Sequence, residues 1–556
     1  MAAPPGSAAA AAGGPPGGAL AAALAAWDAL LGAARVRRDA ATLERYASST
    51  GSCGTRPLAV LRPASAAEVA AVVRVAGRHG LPLYPLSTGR NWGYGDACAV
   101  ADGQVIVDLG LMNRIVEVDA ELAYAVIEPG VTQQQLSRHL LEHGLPLWMD
   151  CTGAGPDTSL VGNVLERGFG HSPYGNRYAS VAGMQVVLAD GDIVETGFGH
   201  YPGARATRLF PYGLGPHLDG LFTQSNLGIV TQMGLWLMPQ TACVEHFICR
   251  VEQHGRVGAV VDALRPLRLD GTLRSVVHIG NDLRVISGGR VFPAELAGGR
   301  TPLPAEVRLA LRRADGIGAW TVSGALYGSR AQVAAARGAL RRALAAAGQR
   351  VQFLDQRKLA LGAWLARLLG GAAGRRLRAK VALGEALFEM NRGVPNGRFL
   401  AGAYWRRRGG LPAGFPLGAN PALDNCGLLW VSPVLPLRGE ALLAVHALAE
   451  PIFARHRFDL FATFSMITER ALGGVLTVAY DKDDADEVAR AKACYRQLFD
   501  AVMAAGYIPY RVGLQSMDRL DNGADPYWRA VARIKAALDP AGILAPGRYQ
   551  GRGGAR

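Results

Sequence analysis

Apolar positions recur at Leu20, Leu24, Trp27 and Leu31, a spacing that predicts a docking helix over about residues 19–35. Residues 58–88 then read as strand, helix, strand. Leu58–Leu61 is apolar and extended, Ser65 and Glu68 form a capping-box pair, and Val69, Val72, Val73 and Ala76 share one apolar face that ends at Gly80. Leu81–Leu86 runs from there into a glycine-punctuated loop, PLSTGRNWGYG, at Pro85–Gly95. Three short β-type runs follow between 104 and 128 (QVIVDLG, RIVEVD and AYAVIEPG). Thr132 and Gln135 form a second capping box and open a helix to about His143. GMQVVLADGDIVET predicts a hairpin that turns at Asp190-Gly191.

The texture changes near Pro239. Residues 240–480 hold β-type runs (HFICRVE, WTVSGALYG, GLLWVSPVLP) and alanine-rich helices at 332–347 and 440–456, a mixture that suggests an α+β sheet domain. From 481 onward an amphipathic helix, the stretch YIPYRVGLQSMDRL and a helix at about 526–538 lead to DPAGILAPGRYQ.

The chemistry concentrates in the glycine-rich stretches. Gly89, Gly93 and Gly95 allow main-chain N–H groups to converge on an anion, and Arg90 adds positive charge. The spacing is neither a P-loop nor GxGxxG. Residues 150–178, DCTGAGPDTSLVGNVLERGFGHSPYGNRY, are too glycine-rich for a long regular element and too apolar for disorder. They suggest backbone packed on something flat or phosphorylated. His139 and His143 sit four apart on a helix, but the HExxH base is missing, so they read as surface histidines rather than a zinc pair. No metal site is expected.

Composition narrows the class. At 556 residues the chain exceeds one hydrophobic core, so two or three domains are expected. Its 59 basic and 45 acidic residues give a net charge of +14, spread along the chain and unaccompanied by a nucleic-acid-binding motif. The basic stretch at 357–380 and Arg406–Arg408 read as solvated surface ahead of a docking patch. Seven scattered cysteines without a CxxC argue against a disulfide framework and for a reducing compartment. Residues 1–18 are Ala/Gly/Pro-rich and precede any Lys or Arg. They read as a disordered tail rather than a secretory signal, and a cytoplasmic location is expected. No run of ~20 apolar residues predicts a membrane span.

Six ordered blocks resemble the 4-phenol-oxidising flavoenzymes, the group of vanillyl-alcohol oxidase and 4-cresol dehydrogenase. In this chain they read STGRNWGYG (Ser87–Gly95), IEPGVT (Ile127–Thr132), VGNVLERGFGHSPYGN (Val161–Asn176), the long stretch Leu209–Pro239, PYR (Pro509–Arg511) and DPAGILAPG (Asp539–Gly547). The likeness runs from about 57 to 550. It implies an α+β chain with a two-part PCMH-type FAD-binding domain at 54–240, completed by 481–550, and an α+β cap at 241–480. A helical segment at 19–53 precedes them.

The resemblance also implies site residues. FAD is expected against Pro85, Ser87, Thr88, Gly89, Arg90, Asn91 and Gly93; against Glu128, Pro129 and Gly130; and against Ser159, Gly162, Asn163, Glu166, Arg167, Gly168, Tyr174 and Gly175. Gly228, Ile229, Val230 and Arg548 complete that set. Tyr94, Tyr510 and Arg511 are expected to favour the phenolate of a para-substituted phenol while hydride leaves its benzylic carbon and a quinone methide forms. The family's catalytic aspartate falls at Asp150 or Asp157, and the two remain alternatives. Leu428 stands where vanillyl-alcohol oxidase has its flavin-linking histidine, so non-covalent FAD is expected, with Cys151 the alternative attachment point and Cys426 a plain thiol. Oxygen or a redox protein would accept the electrons, and a homodimer is left open. Two alternatives stand beside this reading: an FAD-linked enzyme acting on a 2-hydroxy acid or a secondary-metabolite alcohol, and a flavin-fold binding subunit without turnover.

Overall fold

The structure, a computed structural model, describes residues 17–51, 54–520 and 524–550. The first sixteen residues of the expected tail and Cys53 lie outside the described residues. Gly17 and Gly18 already belong to the first helix, Gly17–Leu31, which ends earlier than its apolar spacing suggested because Gly32 takes a positive φ of 81°. Trp27 fixes it: the indole is fully buried and donates to Val72 O at 3.3 Å on the helix Ala66–His79.

Two small sheets carry the glycine loops. One has four strands in the order Val36–Arg37, Val60–Leu61, Val105–Asp108, Leu83–Leu86, with the last three parallel. The parallel part follows from the helix Ala66–His79 that crosses between two of its strands. The other is antiparallel, in the order Ile115–Asp119, Tyr124–Ile127, Ile229–Trp236, Val181–Val187, Ile193–Glu195. Its last pair is the hairpin read from Asp190-Gly191, and Gly191 holds φ at 84°.

The large sheet has eight strands. Its main path runs Val351–Leu354, Cys243–Val251, Trp320–Gly328, His278–Asn281, Phe461–Met466, Ala471–Asp481, Cys426–Val431, and Val434–Pro436 pairs with Ala471–Asp481. Side chains alternate across a strand. Val322, Ile279, Phe464, Leu476 and Val478 therefore pack into one core with the helices Val257–Leu269, Arg330–Ala346, Gly439–Arg455 and Ala485–Ala504. Their neighbours Thr321, Ser323, His278, Gly280, Thr463, Ser465 and Thr477 line a cavity.

The chain returns to the small sheets beyond the helix Ala485–Ala504, which itself packs on the large sheet. Leu83 N–H donates to Ile543 O at 2.8 Å, and Ala545 N–H donates to Leu83 O at 2.7 Å. Lys535 is buried and holds this end together through Asp539 (2.6 Å), Asn226 O (2.6 Å) and Leu544 O (2.8 Å). No helix among the described residues is long and apolar enough to cross a membrane.

Candidate active site

A cavity of about 550 Å³ lies between the glycine loops and the polar face of the large sheet. Pro85, Ser87, Thr88, Gly89, Arg90 and Asn91 line it from the first loop. Pro129, Ser159, Gly162, Asn163, Glu166 and Gly168 line it from the next stretch, and Gly228, Ile229, Val230 and Arg548 from the C-terminal half of the same wall. Gly93, Glu128, Gly130, Arg167, Tyr174 and Gly175 are not in the cavity wall. Glu128 is spent on Arg114 at 2.7 Å, Gly130 N–H donates to Met112 O, and Arg167 donates to Thr223 Oγ1. These six support the loops from behind. Gly93 is required there: φ is 73°, and a Cβ would sit 2.7 Å from the Trp430 indole.

Three observations fit this wall to a dinucleotide. The main-chain N–H groups of Gly89, Arg90 and Asn91 donate no hydrogen bond within the described residues, so an anion can take them. Gly89 itself has φ 65°, which turns the chain at that point. Apolar residues and glycines (Val161, Gly162, Leu165, Ile229) share the wall with Ser87, Thr88, Ser159 and Asn163, a mixture that suits a flat ring system carrying polar edges and phosphates. The Arg90 guanidinium does not join the N–H groups. It pairs with Asp157 at 3.0 Å and donates to Ala419 O at 3.2 Å.

Tyr94, Tyr510 and Arg511 come together at one end of the cavity. The Arg511 guanidinium lies over the Tyr94 ring, 4.2 Å from its centroid, and donates to Asn91 Oδ1. Tyr94 shares a short hydrogen bond with the Ser432 hydroxyl, and Ser432 O accepts from Tyr510 N–H at 3.1 Å. Leu514 N–H donates to Tyr94 O, so the loop, the strand end at 432 and the 510–514 strap are laced together. Burial raises the Tyr94 phenol well above 10, the neighbouring Tyr510 adds to this, and Arg511 opposes it. Tyr94 is therefore a neutral hydrogen-bond donor at ordinary pH. Glu166 forms ion pairs with both Arg511 (3.2 Å) and Arg548, and Tyr549 donates a hydrogen bond to it at 3.2 Å. Two guanidiniums against one carboxylate leave a positive charge in excess at this end.

The two aspartates are not brought to the trio. Asp150 is buried and takes Arg177 Nε at 2.8 Å together with the N–H groups of His171 and Ser172. It packs beneath Gly170, where any Cβ would collide with its carboxylate. Asp157 is half exposed on Arg90. Neither lines the cavity. Cys151 is likewise behind the wall, in an apolar cluster, and burial pushes its thiol well above 9. Cys426 is buried in another cluster with its thiol pushed up to about 12, whereas Leu428 does face the cavity.

Sequence reading missed the opposite wall. His171 and His278 face the cavity with ring centroids 4.3 Å apart, and His278 Nδ1 meets Ser465 Oγ at 2.8 Å. Burial is the main cause that lowers both; His246 and Arg177 add to it at His171, which falls to about 3, and His171 adds to it at His278. Both rings are neutral. The signal was present as alternation: TVS at 321–323 and TFS at 463–465 put hydroxyls on every second position of otherwise apolar strands. Among the described residues no group of three or more His, Cys, Asp or Glu could hold a metal.

Comparison with known proteins agrees with this geometry. Residues 57–197 match the FAD binding domain model and 470–549 the C-terminal domain of FAD linked oxidases. The chain is 40% identical over 531 residues to 1'-carboxy-chondrochloren decarboxylase of Chondromyces crocatus, covering 95% of this chain and 97% of the relative. It is 33% identical over 494 residues to the 4-cresol dehydrogenase [hydroxylating] flavoprotein subunit of Pseudomonas putida, covering 88% and 87%. The structure of 4-ethylphenol oxidase from Gulosibacter chungangensis, in complex with isoeugenol, superposes with a TM-score of 0.86 at 30% identity over 97% of this chain and 99% of that one. A cradle of free N–H groups, a laced Tyr–Tyr–Arg cluster and likeness of this extent lead to one conclusion: the chain belongs to the family of FAD-linked oxidoreductases that contains the 4-cresol dehydrogenase flavoprotein subunit, and FAD is its cofactor.

Proposed function

We infer that this oxidoreductase acts on the benzylic carbon of a para-substituted phenol. The observation that carries the reading is the meeting of Tyr94, Tyr510 and Arg511 around one end of the cavity, with positive charge in excess. FAD supplies the hydride acceptor, at N5 of its ring, and is held without a covalent bond. The protein's own part is electrostatic. Arg511 and the neutral Tyr94 hydroxyl stabilise a phenolate oxygen, which lowers the cost of removing the phenol proton. Electron density then moves to the para position, and the benzylic C–H pair leaves as hydride. The organic residue is a neutral quinone methide, so anion minus hydride balances. His278 Nε2 is buried without a partner and faces the cavity, where it can hold the water that adds to the quinone methide.

A second fate of the intermediate is favoured by the relative named as a decarboxylase. If the neighbouring side-chain carbon carries a carboxylate, the C–C bond to it can break. CO2 leaves, and the bonding pair forms an alkene as the ring returns to phenolate. Anaerobic mixing with 4-alkylphenols is the test of the first reading. Bleaching of the ~450 nm flavin band in wild type, and its loss in Arg511→Ala with FAD still bound, is expected; reduction by 2-hydroxy acids alone would overturn it. Trapped CO2 distinguishes the second fate. Either oxygen or a redox protein then takes the electrons.

A further inference from the structure

Arg284 is the cavity's one arginine wall residue on the helix Asp282–Ser287, and it is unlike Arg90, Arg511 and Arg548. Those three each pair with a carboxylate. Arg284 has no ion pair and no side-chain hydrogen bond among the described residues. Burial alone lowers its pKa, with no acid raising it. The nearby acid, Asp282, is spent elsewhere, on Arg308 at 2.7 Å. What remains of Arg284's exposed surface opens into the cavity.

The surroundings make room for it. Gly280 lies under its stem: a Cβ there would be 3.6 Å from Arg284 Cγ. Gly402 lies against its head: a Cβ there would be 3.1 Å from Nη1, tighter than an ordinary contact. The strand register puts Thr321 and Thr463 on either side of Gly280, both facing the cavity. A guanidinium taken from water, unpaired and with its planar fork free, costs stability unless an anion meets it. Carboxylate is the anion that matches the fork.

We propose that Arg284 is a carboxylate-binding residue, and that the substrate is a phenol whose para side chain carries an acid. Arg511 takes the phenol oxygen and Arg284 takes the carboxylate, so the molecule is held at both ends with the benzylic carbon between. This rests on the phenol reading given above, and it concerns recognition of the acid, whichever way the quinone methide is quenched.

The test compares an acid with its neutral isostere on FAD-loaded enzyme. Binding is measured by calorimetry with 4-hydroxycinnamate and 4-hydroxycinnamamide, which have no saturated benzylic C–H to oxidise. Flavin reduction is measured with 3-(4-hydroxyphenyl)propanoate and its amide. Wild type is expected to prefer acid to amide on the order of 10²-fold in both assays, and Arg284→Met to abolish that ratio. Arg284→Lys keeps the charge but loses the fork, and is expected to restore about a tenfold preference. It also serves if Arg284→Met does not load FAD. Equal affinity of wild type for acid and amide overturns the proposal. So does an Arg284→Met variant that weakens both alike, which would mark Arg284 as a structural or FAD contact. If no phenol reduces the flavin but a 2-hydroxy acid does so in an Arg284-dependent way, the phenol reading fails while the acid subsite stands.

Discussion

The two walls of the cavity use arginine in opposite ways. On the loop wall Arg511 is crowded: Glu166, Asn91 and the Tyr94 ring all touch it, and the strap that carries it is laced to two other segments. On the sheet wall Arg284 touches no acid and sits between two glycines. A crowded guanidinium is oriented, and its field is fixed before substrate arrives, which is what a developing charge in a transition state needs. An uncrowded one is a vacancy for a charge already present in the ground state, which serves recognition. On the proposed reading, one wall serves rate and the other serves choice.

The largest break in this contrast is Arg511→Met. It removes the positive charge over Tyr94, and flavin reduction by a neutral 4-alkylphenol should fall about 10²–10³-fold, read by anaerobic stopped flow. Bound FAD, measured from the spectrum, should persist. Next comes Asp150→Asn, which leaves Arg177 buried with an uncompensated charge. A stability loss of about 3 kcal/mol in chemical denaturation is expected. The reduction rate per bound flavin should hold, because Asp150 is not in the cavity wall; a fall like that of Arg511→Met would return it to the chemistry.

A smaller effect separates donor from scaffold. Tyr94→Phe keeps the ring under Arg511 but loses the hydroxyl, and should slow reduction about tenfold, the cost of one hydrogen bond to a charged group. The smallest concerns Asp96, which receives Thr50 N–H and the Thr50 hydroxyl while burial raises it to about 7. A carboxyl raised in the folded state contributes stability below its ordinary value near 3.8 and loses that contribution as pH climbs through 7. Melting temperature should therefore drop from about pH 4 to about pH 7 in wild type and level off above that. Asp96→Asn should flatten that drop by roughly 2 °C.

How readable each wall was from sequence follows from how it is built. The loop wall is made of contiguous residues, 85–91 and 159–168, whose glycines and N–H groups act as a unit, so a local motif carries the information. Tyr510 and Arg511 came with a tripeptide that the family resemblance supplied. The sheet wall is assembled by register: His278 stands opposite Ser323 and Ser465, and Gly280 opposite Thr321 and Thr463. Those pairs lie 41 to 187 positions apart in the chain, and no local pattern links them. Asp150 and Asp157 illustrate the limit from the other side. An aspartate in a glycine-rich loop can face either way, and only packing under Gly170 or pairing with Arg90 decides which.

The stitch between Leu83 and residues 543–545 has a consequence for the order of assembly. The ribosome delivers the glycine loop early, but Arg511, Arg548 and the segment that bonds to Leu83 come last. Until synthesis has passed Arg548, the nascent chain offers FAD a wall without its final side. The large sheet can fold in that interval, because its strands and its four packing helices are complete by Ala504. A chain cut short before Tyr510 would then hold every strand of the large sheet but lack Tyr510, Arg511, Leu544, Ala545 and Arg548 from the cavity wall.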